Sequence, residues 1–310
     1  MAFTMHSHSG QFCPGHAKDQ LEDIIKHAIS LGYTTMGLTE HMPRTSLEDL
    51  YPEELDDPEG SLAALFPRHE AYLLEAQRLQ TKYSPQIHIL IGFEGEWLRP
   101  SYATLVTSLA AHPSVDYFIG SLHHINSIPI DYDATYYARA VSSCAGGTEE
   151  SAYATYYDQQ HAMLQALRPR VVGHFDLVRL LSSSPNRCVR DEWPAVWQRV
   201  QRNLAFVHSY GGWVECNTSA LRKGLAEPYP SREIAEEWLR LGGRFTLSDD
   251  SHGIAQVGTN FARALDYLDG LGVRSLWTLR REAPAAEGEK AKLVEVEVPL
   301  ESVRAVVGKW

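Results

Sequence analysis

Residues 17–41, AKDQLEDIIKHAISLGYTTMGLTEH, carry the chain through one helix and one strand and end on Glu40 and His41. In the first part Leu21, Ile24, Ile25, Ala28 and Ile29 recur at helical spacing and make a single apolar face. From about Tyr33 to Thr39 a short apolar run bounded by turn signals reads as a strand. The same unit returns along the chain. Further strands are expected at about Ala2 to Met5, Ile87 to Phe93, Val115 to Ser121, Arg170 to Gly173, Gly212 to Asn217 and Arg244 to Ser248. Helical stretches fall between them: HEAYLLEAQRLQTKY, ESAYATYYDQQHAMLQAL, WPAVWQRVQRNLAFVHSY and REIAEEWLRLGG. Strand and helix in alternation predict an α/β fold with a parallel sheet, and seven such units predict a closed or nearly closed barrel.

Three segments break the rhythm. Thr45 to Pro67, rich in Asp, Glu and Pro, and Asp131 to Thr148 read as long loops over the barrel mouth. REAPAAEGEK, residues 281–290, reads as a loop between two late strands, LWTL and LVEVEV. One domain over residues 1–310 is expected, since α/β barrels of this length are commonly single domains.

Composition narrows the function. The formal net charge of −11 and the lack of a basic stripe argue against a nucleic-acid partner, because phosphate backbones attract clustered Lys and Arg. Four scattered cysteines, Cys13, Cys144, Cys188 and Cys216, form no C-x-x-C pair, so a reducing cytosol is expected. No secretory leader or membrane span is read.

The chemistry gathers in one place. His6, His8, Glu40, His41, Glu94, His123, His174, Asp250 and His252 all lie at or just after the C-terminal end of an expected strand, the catalytic face of a barrel. His27, His69, His112, His161 and His208 fall on or near helices instead. The H-S-H of residues 6–8 puts two imidazoles on one side of an extended chain, and the D-S-H of residues 250–252 offers a carboxylate and an imidazole at the same spacing. Each pattern alone has a plain structural explanation, such as a helix cap for D-S-H. Several strand ends carrying such residues together point to metal ions. Imidazole mixed with carboxylate suits zinc, with iron and manganese as alternatives.

The motifs HSHSGQFCPGHAKDQLE, LTEHMPR, GFEGEW, GSLHH, VVGHFDLVR, ECNTSALRKG and SDDSH occur in the order found in the polymerase and histidinol phosphatase (PHP) superfamily. The chain resembles its fungal-type histidinol-phosphate phosphatases over most of its length. The resemblance implies a distorted seven-stranded (β/α)7 barrel of TIM type holding three divalent metal ions. It implies ligation of one ion by His6, His8, Glu94 and Asp250, of a second by Glu94, His123 and His174, and of a third by His16, His41 and His252. The family's usual spacing places the third-ion histidine one residue earlier, where this chain has Gly15. Family counterparts of residues 215–224 contact substrate, which brings in Asn217, Ser219, Arg222 and Lys223. Arg222 is suited to clamp a phosphate through its planar fork, and Arg44 and Arg179 are further candidates. The implied reaction is hydrolysis of L-histidinol phosphate, a small phosphomonoester of histidine biosynthesis, with Asp250, His252 or a metal-bound water giving the leaving oxygen its proton. Loss of the first eight residues is expected to abolish activity while leaving the barrel largely intact, and Glu96 is expected to be a bystander beside Glu94.

Overall fold

The structure, a computed structural model, describes residues 1–282 and 289–310. Seven strands form one sheet: β1 (Ala2–Thr4), β2 (Tyr33–Leu38), β3 (His88–Glu96), β4 (Tyr117–Ser121), β5 (Val171–Val172), β6 (Trp213–Asn217) and β7 (Phe245–Ser248), in that spatial order. The pairs β1–β2, β2–β3 and β5–β6 are parallel. The two ends of the sheet meet: Met5 N donates to Leu247 O at 3.0 Å, and Ser7 bridges Ser251 in parallel register. This is the expected seven-stranded, nearly closed α/β barrel.

The helices α1 (Leu21–Ser30), α2 (Pro58–Tyr83), α3 (Tyr102–Ala110), α4 (Ala134–Ser142), α5 (Glu149–Leu167), α6 (Pro194–Ser209), α7 (Arg232–Arg240), α8 (Phe261–Gly270) and α9 (Leu300–Val307) fall between or after the strands. Leu21, Ile24, Ile25 and Ala28 of α1 are buried as its periodicity requires. Strands β8 (Ser275–Glu282) and β9 (Lys292–Pro299) pair antiparallel and account for the two late strands.

By compactness the chain divides into two units. One comprises Met1–Gly95, Ser108–Ile119 and Thr246–Trp310, and the other Glu96–Thr107 and Gly120–Phe245. The first has Phe3, Ile24, Met36, Leu38, Tyr72, Ile89, Phe93 and Leu247 in its core. Close backbone approach explains Gly37 on β2: a Cβ there would collide with the Tyr117 hydroxyl, which donates to Met5 O at 2.5 Å. The second unit is built on Tyr156, Tyr157, Phe175, Val200, Leu204, Trp213 and Trp238, with Asn203 Nδ2 donating to Tyr157 O at 2.7 Å.

Two of the expected loops contain helix. Residues 45–67 hold two 3-10 turns and the start of α2, where Asp57 caps the first turn by accepting from Gly60 N and Pro58 occupies the first helical position. Residues 131–148 hold α4, capped by Asp133. The Asp and Pro that read as loop signals are helix starts. Of residues 281–290, Arg281 and Glu282 belong to β8, and 283–288 lie outside the described residues.

Ala2, Phe3 and Thr4 are fully buried, and Phe3 pairs with Thr35. The N-terminal segment is therefore a structural strand as well as a source of side chains, which corrects the expectation that a barrel survives its removal. A chain lacking residues 1–8 is expected to lose its cooperative thermal transition and accumulate as aggregate. A truncated protein with the parent's circular dichroism melt would contradict this.

Candidate metal centre

The loop after β1 is held by its backbone and by Ser7. His8 N donates to Ser251 O at 2.8 Å, Ser7 N to Thr39 Oγ1 at 3.0 Å, and Ser7 Oγ to Gly37 O at 2.7 Å. With Ser7 anchored outward, His6 and His8 turn the other way. His6 Nε2 lies 3.4 Å from Glu94 Oε2 and 3.6 Å from Asp250 Oδ1, and His8 Nε2 lies 3.5 Å from each of the same atoms. His41 Nδ1 is 3.0 Å from Glu94 Oε2. The His8 ring stacks between those of His41, at 4.3 Å, and His252, at 4.4 Å. Two groups of donor atoms thus converge within 4.8 Å: His6, His8 and Asp250, and His8, His41 and His252.

The chemistry of this cluster fits a divalent cation. The separations of His6 and His8 from the carboxylates exceed ordinary hydrogen-bond lengths but suit donors sharing one ion. His252 Nε2 is buried with no hydrogen-bond partner, while its Nδ1 lies 3.0 Å from Asp250 O. Burial, reinforced by His41, pulls the His8 imidazolium down to about 3, and burial with His8 beside it pulls His252 well below its ordinary value. Burial would raise Asp250, but His6, His8 and His252 outweigh it and hold the carboxyl well below the usual range. Neutral imidazoles facing ionised carboxylates are the ligand-competent forms. Glu40, next to His41, goes the other way: burial pushes it up to about 8, although Ser9 Oγ donates to it at 2.6 Å.

His16 stands differently from its neighbours. Its ring lies 4.7 Å from that of His252 and 5.5 Å from that of His41, but its half-exposed Nδ1 faces Glu53 Oε1 at 3.3 Å, and His8 completes the group with His41 and His252. Arg44 is buried against Glu54, donating to Oε1 at 2.6 Å, and stacks over Tyr51 at 4.9 Å.

In the second unit His123 Nε2 and His174 Nε2 are 3.0 Å apart. His174 N donates to Glu215 Oε1 at 2.6 Å, and Asn217 Nδ2 donates to the same oxygen at 2.7 Å. Asn217 Oδ1 accepts from Ser219 N at 2.8 Å, leaving Ser219 Oγ buried without a hydrogen-bond partner. Arg222 closes the short helix Ser219–Arg222 and is half-buried, with Lys223 exposed beyond it. Arg179 is engaged by Asp176 at 2.8 Å and donates to Glu227 O at 3.0 Å and Pro228 O at 2.7 Å.

Sequence reasoning passed over Glu96, which is buried rather than at a solvated rim. Its Oε1 lies 2.9 Å from His124 Nδ1 and 3.5 Å from His123 Nδ1. Burial alone would raise its carboxyl, but His124 and His123 hold it well below the usual range. The available signal was its position, two residues after Glu94 in an otherwise apolar strand, where side chains share a face. Glu215 and Asp176 were also missed, since nothing local distinguishes them.

A model of the PHP domain family matches residues 4–219. The "Probable histidinol-phosphatase" of Schizosaccharomyces pombe is 43% identical over 298 residues, covering 96% of this chain and 95% of its own. The histidinol-phosphatase of Saccharomyces cerevisiae is 34% identical over 292 residues, covering 85% and 87%. Among solved structures, the histidinol phosphate phosphatase of Lactococcus lactis, complexed with zinc, L-histidinol and phosphate, superposes with a TM-score of 0.66 at 20% identity, over 94% of this chain and 98% of that one.

The His8 shift sets an acid limit on the metal-stripped protein. A histidine that stays neutral when folded takes up its proton only on unfolding, so its contribution is intact above about pH 6.5 and is lost progressively as pH falls toward about 3. The depressed Asp250 acts in the same direction. Chelator-treated protein is expected to melt at progressively lower temperature from pH 7.5 to pH 5, and His8→Asn to flatten the slope. A pH-independent melting temperature would contradict the burial of a neutral His8.

Proposed function

The chain belongs to the PHP domain family, and from that premise we propose that it is a metal-dependent phosphatase that hydrolyses L-histidinol phosphate to L-histidinol and phosphate in histidine biosynthesis. The observation that carries the proposal is the convergence of His6, His8, His41, Glu94, Asp250 and His252, in a chain 43% identical to a histidinol-phosphatase over nearly its whole length.

In this reading three divalent ions, zinc first, would be held by His6, His8, Glu94 and Asp250, by Glu94, His123 and His174, and by His41 and His252 with His16. His8 is the competing donor at the third set, because it lies with His41 and His252 in one group. When bound, the ions supply Lewis acidity for the phosphoryl oxygens and acidify water near neutral pH. The chain's own residues do the rest. Arg222 offers two parallel N–H donors to the phosphate, with Lys223 as an added point charge, where the short helix after β6 is set by the Glu215–Asn217–Ser219 hydrogen bonds. His252 faces the Asp250 carbonyl through Nδ1, which favours the proton there and leaves Nε2 with its lone pair. Nε2 would therefore either ligate an ion or accept the proton that the attacking water releases and pass it to the leaving alkoxide.

Arg44 and Arg179 are reassigned to supporting roles, since moving either toward a phosphate strands Glu54 or Asp176 without its cation. The whole chain is proposed to act as one catalytic domain. Four unpaired cysteines support a reducing, cytosolic setting, and no helix among the described residues is long and apolar enough to cross a membrane. The direct test is phosphate release from L-histidinol phosphate beside a panel of phosphomonoesters, with metal content measured on the same sample. Preference for another ester, or full turnover without metal, overturns the proposal.

Two substitutions probe the parts. Glu94→Gln keeps the shape but removes a charge from between His6, His8 and His41, so at least one ion is expected to be lost per chain. Equal metal content in variant and parent would remove Glu94 from the centre. Arg222→Ala is expected to lower turnover by about 10²- to 10³-fold, as loss of one preorganised donor to developing charge does, with metal content unchanged. Normal kinetics, or loss of metal, would end the clamp assignment.

A further inference from the structure

Strand β3 ends with two carboxylates, Glu94 and Glu96, two residues apart and on one face. The proposed function uses only the first. Glu96 is nevertheless as deeply buried, and a buried carboxylate persists only with polar partners that repay its desolvation. Those partners are the Nδ1 atoms of two consecutive histidines. His124 Nδ1 lies 2.9 Å from Glu96 Oε1, and His123 Nδ1 lies 3.5 Å from the same oxygen, both within ion-pair range of the carboxylate. His123 presents its other nitrogen, Nε2, 3.0 Å from His174 Nε2.

An imidazole has two neutral tautomers, and an anion beside one nitrogen draws the proton to that side. We infer that Glu96 is a positioning residue, holding the His123 proton on Nδ1 and the ring in one orientation so that the Nε2 lone pair lies beside His174 Nε2 as half of a two-nitrogen cation site. His124 is then the anchor of the carboxylate rather than a ligand. On the far side, Glu215 Oε1 accepts from the main-chain N–H of His174 at 2.6 Å and fixes the backbone that carries that ring. The inference rests on the reading of His123 and His174 as metal ligands and deepens it. Carboxylates behind metal-binding histidines act in this way in general, orienting the ring and raising its basicity.

Zinc titration of metal-stripped, full-length protein against a competing chelator tests the role. In Glu96→Gln the affinity for one ion is expected to fall by about 10- to 100-fold, with the remaining ions unaffected. Nitrogen NMR of the stripped variant is expected to show His123 as a mixture of tautomers, against a single Nδ1–H form in the parent. Excess zinc is expected to restore kcat with KM unchanged. Zinc affinity equal to the parent's, or a single unchanged tautomer, overturns the positioning role. Should Glu96→Gln fail to fold, Glu96→Asp, which keeps the charge but shortens its reach, is titrated in its place, and parental affinity there overturns the role equally. A parent protein that takes up no zinc at all would instead overturn the metal centre on which this inference rests.

Discussion

A single fully buried carboxylate, that of Asp249, ties the start of the chain to its last barrel strand. Oδ1 accepts from Thr4 Oγ1 at 3.1 Å and from Ser251 N at 3.2 Å, and Oδ2 accepts from Tyr33 OH at 3.1 Å and from Gly258 N at 2.7 Å. Leaving such a charge uncompensated is costly, so these donors must stay where they are. They come from β1, β2 and the segment after β7. Burial, and then Asp249 itself, push the Tyr33 phenol well above its ordinary value, so it remains a donor. The next residue, Asp250, takes a left-handed backbone with φ of 49°, uncommon for a residue with a side chain, and brings its carboxylate to His6 and His8. The network that closes the barrel thus also aims one of the proposed ligands.

The carboxyl groups around the centre show how one fold sets different protonation states a few residues apart. Asp250 and Glu96 are buried against imidazoles and held low, whereas Glu40 is buried against the neutral hydroxyl of Ser9 and pushed up to about 8. Burial alone raises all three; the neighbour decides the sign. Separation of this kind allows ligands to stay charged while a nearby carboxyl retains its proton at neutral pH. A chain of net charge −11 would then meet an anionic ester through local charge, from the proposed cations and the proposed Arg222 clamp.

Much of the fold was legible because period and punctuation agree: the apolar face of α1, the short runs of β2 and β3 and the late hairpin follow from spacing alone. The proposed ligands were legible because strand ends concentrate them. What stayed hidden depends on contacts distant in sequence. Nothing local in S-D-D-S-H says that Asp249 faces Thr4 and Tyr33 while Asp250 faces the histidines; the backbone turn at Asp250 decides it. The start of α2 was hidden because Asp57 and Pro58, which cap it, are also ordinary loop residues.

The arginines illustrate the same limit from the functional side. Arg44, Arg179 and Arg222 all follow strand ends, and the sequence puts Arg222 ahead of the other two only through the motif that carries it. Burial separates them. Arg179 is buried with Asp176, and withdrawing it leaves a buried carboxylate unpaired, a cost of about 3–5 kcal/mol, while Arg44 is itself buried and held by the part-buried Glu54. A transient phosphate competes badly against a resident carboxylate on such terms. Arg222 is half-buried at the end of a four-residue helix. The planar fork of Arg222, on the segment that follows β6, would give a phosphate two parallel hydrogen bonds, and the clamp is proposed there.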